Sequence, residues 1–162
     1  MKSIVAALIC LLAIGSALGC GASAAPVAPT SSSTGTTLNL TGTWTGTGSD
    51  RTGDEALMWT VTQSGTAVTG TVNMSAFNAP EGSCAFCHKH KIGTLTGTVS
   101  PAALSMKIVF PGGDAVETPI CVIKLDATAT NPSNDRFTAT YTGDDTCEGS
   151  FTDGSLTMTR RQ

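Results

Sequence analysis

Charge and aromatic rings are both scarce in this chain. Of its 162 residues 13% are charged and 5% aromatic, with two tryptophans and a single tyrosine. Nine Lys and Arg stand against twelve Asp and Glu, a net charge of −3, and setting aside Lys2, the only charge among the first 37 residues, leaves −4. Such a surface has no basic face for nucleic acid. Long apolar runs at helical spacing are missing, which excludes a helical bundle. The two histidines, His88 and His90, lie in one short stretch, so the many serines have no imidazole elsewhere to activate them. No Gly-x-Ser-x-Gly, His-Glu-x-x-His or phosphate-loop pattern occurs, and Glu55, Glu81 and Glu117 form no glycosidase-like pair. The expectation is a protein that is not an enzyme.

What the chain does have is threonine, glycine and alternation. In Trp59–Val72 and just before it, Leu57, Trp59 and Val61 lead into a Ser-Gly turn, and Val68 and Val72 lead out. A period of two around such a turn is a β-hairpin with one buried face. The pattern recurs, predicting strands over 38–47, 56–63, 67–74, 92–100, 104–110, 120–129, 136–142 and about 155–160. Leu104, Met106, Ile108 and Phe110 alternate strictly, and Phe137, Ala139 and Tyr141 share a face. Polar turns are expected at Asp50–Glu55 and Asp153–Gly154. Gly42, Gly46, Gly70 and Gly97 fall on the apolar faces, where a missing side chain bends a strand or admits a ring. Successive short strands joined by turns predict an all-β fold, an eight-stranded antiparallel up-and-down barrel, with a two-sheet sandwich as the alternative. Its expected core includes Trp44, Trp59, Val61, Leu95, Ile108 and Phe137. An eight-stranded barrel is wide enough either to pack its own side chains or to hold one small apolar ligand at its mouth.

Leu40-Thr41-Gly42-Thr43-Trp44, Trp59-Thr60-Val61-Thr62 and Val68-Thr69-Gly70-Thr71-Val72 resemble the first three strands of the avidin and streptavidin family, and are broadly lipocalin-like. The resemblance implies a small barrel. It does not imply biotin binding: Gly46 stands where that family has a ligand-holding asparagine, Val72 where it has a tyrosine, and there is no tryptophan beyond Trp44 and Trp59.

The N-terminus reads as an address. Lys2 precedes an apolar run over Ile4–Leu18, and residues 1–19 fit a secretory signal peptide. Ala17-Leu18-Gly19-Cys20 resembles a bacterial lipobox, which would make Cys20 the lipidated first residue and the membrane a partner through that anchor; cleavage after Ala22-Ser23-Ala24 is the alternative. Gly21 is not the aspartate that favours inner-membrane retention, which directs the expectation to the outer membrane of the cell envelope. Residues 20–37 are a lipidated cysteine followed by an Ala, Pro, Ser and Thr tether too poor in apolar side chains to fold. Residues 38–162 are the barrel, with a Cys/His insertion over 75–91.

Beyond Cys10 and Cys20 the chain holds Cys84, Cys87, Cys121 and Cys147. An even number in an exported domain predicts disulfides, Cys121–Cys147 and the local pair Cys84–Cys87 being the favoured set among three connectivities. The Cys121–Cys147 loop is long enough for roughly 3 kcal/mol of loop-closure stabilisation. Cys84-Ala85-Phe86-Cys87-His88 is also the c-type haem attachment pattern, two thiols for the vinyl groups and an axial histidine, with His90, Met74 or Met106 as second ligand. Zinc on Cys84, Cys87, His88 and His90 is a third reading, and a redox pair a fourth. A plain disulfide loop without cofactor leads, because the flanking residues are polar and no apolar cover for haem lies nearby. Asp144, Asp145 and Glu148 form an acidic turn with the residue types of a calcium site.

Overall fold

Alternation carries the architecture. In the computed structural model, which describes residues 38–78, 90–112 and 121–162, every strand turns one set of side chains inward and the other to solvent. The strands are β1 (Gly42–Asp50), β2 (Gly53–Ser64), β3 (Ala67–Asn78), β4 (Lys91–Val99), β5 (Ala103–Phe110), β6 (Ile123–Thr130), β7 (Arg136–Asp145) and β8 (Gly149–Arg160). Each pairs antiparallel with the next. β1 then pairs with β8, from Trp44 opposite Arg160 to Ser49 opposite Ser155, and closes an eight-stranded barrel. Among the described residues closure leaves no sandwich, and no exposed sheet edge to seed aggregation.

The interior is aliphatic and aromatic. Trp44 and Trp59 are register partners on β1 and β2, and Phe137 reaches both, at 5.1 and 6.2 Å between ring centroids. Val61, Leu95 and Ile108 are buried in the same cluster. Between Leu40, Trp44, Trp59, Leu104, Met106 and Phe137 lies a cavity of about 10 Å³, room for the centre of a single water. The outward faces are mostly threonine. Thr43, Thr60, Thr71 and Thr94 form one row across four strands. This is the reverse of a membrane-spanning barrel, whose outer band is apolar. Threonine suits it twice over, since its β-branch fits the pleat and its hydroxyl is hydrated without charge.

Glycine lets this barrel coil tightly. A Cβ on Gly70 would lie 2.5 Å from the Thr60 carbonyl oxygen, and one on Gly97 would lie 2.3 Å from that of Ser105. At both positions it is the neighbouring backbone, rather than a ring, that fills the space.

Several strand limits differ from the sequence expectation, each for a local reason. Residues 38–41 precede β1, because Gly42 has a φ of +144° and turns the chain. The expected Asp50–Glu55 turn contracts to Arg51–Thr52: Asp50 Oδ1 accepts from Thr52 N and Oγ1 at 2.7 and 2.6 Å, so β2 starts at Gly53. β3 runs on through Asn78 beyond a bulge opposite Asp54/Glu55, and β4 begins at Lys91, so the 75–91 insertion contracts to a connection over 79–90. β6 begins at Ile123 rather than Ile120, since Cys121 and Val122 are tied to the β7–β8 turn. That turn lies at 146–148, not at Asp153–Gly154. Gly154 sits inside β8 beneath the Tyr141 ring, whose Cδ2 is 2.2 Å from where a Cβ would be.

Candidate functional site

A meander barrel sends alternate connections to alternate ends, and the two ends of this one differ. One end has the short turns at 65–66, 100–102 and 131–135. Residues 38–41 lie across it. Leu40 is buried, its carbonyl accepts from Trp44 Nε1 at 2.8 Å, and its N–H donates to Gln63 Oε1 at 2.8 Å. The Arg160 guanidinium stands 5.0 Å from the centroid of the Trp44 ring and donates to the carbonyls of Asn39, Thr41 and Asn134. A planar fork with several donors suits that spread of acceptors. This end is sealed.

The other end carries the long connections over 79–90 and 111–122, with the turns at 51–52 and 146–148. The inward-facing polar side chains gather here. Lys91 is buried and its Nζ donates to the Cys121 carbonyl at 2.5 Å. Asp145 is buried and its Oδ1 accepts from Cys147 N at 2.7 Å. Cys121 and Cys147 form a disulfide, with Cα atoms 5.6 Å apart. Val122 and Thr146 bridge beside it, through Val122 N to Thr146 Oγ1 and Thr146 N to Val122 O. Cys121 and Val122 are thereby fastened to the β7–β8 turn, and Cys121 to β4. Across the rim, Tyr141 donates from its hydroxyl to Asp50 Oδ2 at 3.0 Å, and Glu55 is buried nearby against Gly48. Burial first, then the Glu55 and Asp50 carboxylates, push the Tyr141 phenol well above its ordinary value. Phe151 packs edge-to-face with Tyr141, and the Arg51 guanidinium lies 5.9 Å from the Phe151 ring centroid.

Of the predicted site residues, Cys20, Cys84, Cys87 and His88 lie outside the described residues. His90 is half-buried and lines a shallow groove of about 220 Å³ with Met58, Asn73 and Ser75. Met74 and Met106 face the barrel core, Met106 beside the small cavity. The acidic turn does not converge: Asp144 is exposed and accepts from Ser150 Oγ, while its neighbour Asp145 faces inward. Among the described residues the His, Cys and carboxylate atoms that do converge are those of Cys121, Asp145 and Cys147, all within 4.8 Å of one another. Sequence reasoning placed neither Lys91 nor Glu55 on the inward face. Their phase was readable, since Lys91 precedes Gly93 and Leu95 on the inward parity, and Glu55 precedes Leu57 and Trp59.

No family model, curated protein or solved structure matches this chain.

Proposed function

We propose that this chain is a lipid-anchored, non-enzymatic barrel of the cell envelope that binds through its loop-bearing end. The asymmetry of the two ends carries the reading. A strap and an arginine seal one end, and the cavity behind them, about 10 Å³, falls far below the ~300 Å³ of an ordinary ligand pocket. The other end concentrates the long connections, where binding residues tend to sit on a rigid scaffold. A small apolar ligand belongs at that mouth rather than deep in the barrel. The polar groups there hold backbone: Asp50 serves Thr52, Lys91 serves Cys121 and Asp145 serves Cys147. That supports a contact face over a catalytic centre. Anchoring through Cys20, export by residues 1–19 and the outer-membrane destination rest on the lipobox-like Ala17–Cys20 and the tether that follows it.

Two measurements test the proposal. Cys20→Ser should move the exported protein from the membrane to the soluble fraction, and unchanged partitioning refutes the anchor. An apolar fluorescent probe should bind the exported protein and lose affinity when Phe151 at the mouth is changed to Asp. Binding that responds instead to Leu104→Ala at the sealed end removes the mouth from the proposal.

Covalent haem at Cys84, Cys87 and His88 is the second reading. One observation favours keeping it: the connection bearing this motif leaves and rejoins the barrel at the loop-bearing end, with His90 on the outer wall. Protein made with cytochrome maturation machinery and lacking a Soret band ends it.

A further inference from the structure

We infer that reduction of the Cys121–Cys147 disulfide converts the mouth of the barrel into a binding site for a thiophilic divalent cation of the zinc class, with Cys121, Cys147 and Asp145 as ligands. This is a separate property from whatever the loop-bearing end binds, and it stands without the lipid anchor.

Geometry comes first. One ligand atom from each of the three residues already lies within 4.8 Å of the other two. Around a tetrahedral zinc the ligand atoms stand about 3.5–4 Å apart. The sulfurs need only separate from bonded to non-bonded distance, and the carboxylate, within 4.8 Å of them, closes by at most about 1.3 Å. Asp145 is held in place by the Cys147 N–H on its Oδ1. Cys121 is held by Lys91 on its carbonyl and by the Val122–Thr146 bridge next to it. Two thiolates and a carboxylate make a donor set for zinc rather than for calcium or magnesium. Cys121 and Asp145 are buried while Cys147 is exposed, so the fourth position faces solvent.

Charge comes second. Burying a charge without compensation is costly. In the oxidised mouth the buried charges beside the disulfide are Lys91 and Asp145, of opposite sign, with Glu55 buried across the rim. Zinc with two thiolates adds zero. The metal therefore enters without changing the net buried charge, and the same two side chains serve both states.

The chemistry balances with an envelope dithiol as reductant. Its thiolate attacks Sγ of Cys147, the more exposed residue of the pair; the S–S bond breaks, and Cys121 leaves as thiolate and takes a proton. The second thiol of the dithiol attacks the mixed disulfide and releases Cys147. Two electrons and two protons pass from dithiol to cysteines, and the dithiol becomes a disulfide. Zinc binding then releases the two thiol protons to solvent.

The test uses the exported protein with Cys10→Ala, Cys20→Ser, Cys84→Ser and Cys87→Ser, so that only this pair is left. After reduction with a phosphine and removal of the phosphine, cobalt(II) should give a thiolate charge-transfer band at one ion per chain, and zinc should abolish it. The oxidised protein should give none. Asp145→Asn, whose amide oxygen can still accept from Cys147 N, should weaken zinc binding at least about tenfold. Asp144→Asn, on the opposite face of the strand, should leave it unchanged. The inference is overturned if the reduced protein shows no such band, if the oxidised protein binds equally, or if Asp145→Asn binds as tightly. Circular dichroism covers the remaining case: a barrel that unfolds on reduction and refolds with zinc supports the site, and one that zinc does not restore overturns it.

Discussion

Replacing Cys121 and Cys147 together by alanine removes one crosslink and leaves every strand pairing in place. The bridge joins positions 26 apart. Tying the ends of a loop of that length restricts the unfolded chain by about 12 cal/mol/K, or about 3.5 kcal/mol at 25 °C. Over the roughly 125 residues of the barrel, an unfolding entropy of about 2.1 cal/mol/K per residue turns this into a fall of about 13 °C in Tm. The account places the effect in the unfolded state, which gives it a second signature. An unfolded chain without the crosslink expands and exposes more surface, so the slope of stability against urea should steepen as the midpoint falls. Urea titration followed by tryptophan fluorescence reads both, since Trp44 and Trp59 are buried beside Phe137. A loss below about 1 kcal/mol with an unchanged slope would refute the loop-closure reasoning. A much larger loss would place the effect in the folded mouth, with Lys91 and Asp145 losing the backbone they hold.

Phe137→Ala opens a hole between the two tryptophans and should cost about 3–5 kcal/mol, read as a drop in urea midpoint and a red-shifted fluorescence spectrum. Tyr141 is the only tyrosine, so a spectrophotometric titration reports it alone: the native protein should show no tyrosinate at about pH 11, one unit above the ordinary tyrosine value, and the urea-unfolded chain should titrate near 10. The sign follows from the raised value: the folded state holds the phenolic proton more tightly, so the contribution is complete below about pH 10 and declines by about 1.4 kcal/mol per pH unit above it. A native tyrosinate band near pH 10 would show the Tyr141 hydroxyl to be solvated. Arg160→Lys keeps a cation near Trp44 but loses the fork that reaches three carbonyls, and should cost about 1–3 kcal/mol in chemical denaturation; an unchanged midpoint would mean that Asn39, Thr41 and Asn134 are as well served by water.

The strands and their inward faces were legible because their signal is local, whereas closure over a sandwich rests on β1 pairing with β8. Leu104, Met106, Ile108 and Phe110 alternate without interruption, and a side-chain period of two already assigns which residues face in. The strand limits were less legible, because side chains returning from elsewhere decide them. Asp50 caps Thr52 and shortens a turn that composition makes look long, and Tyr141 covers Gly154, so that an Asp-Gly pair reads as a turn while lying mid-strand. The buried polar groups of the loop-bearing end were less legible for a related reason, although the Cys121–Cys147 bridge beside them was expected from the sequence. Lys91, Asp145 and Cys121 are far apart in sequence and belong to different elements, so no spacing rule links them. Motif reading favoured the five-residue run at Cys84–His88 instead.

By itself, then, the sequence determined the fold class and the inward set, since both follow from nearest-neighbour geometry along one strand. Only the closed sheet decided which end is sealed and which gathers the buried polar groups. Lys91 and Asp145 come to the same rim because β4 and β7 lie in one ring of strands, and contacts across a ring leave no trace in the order of residues along the chain.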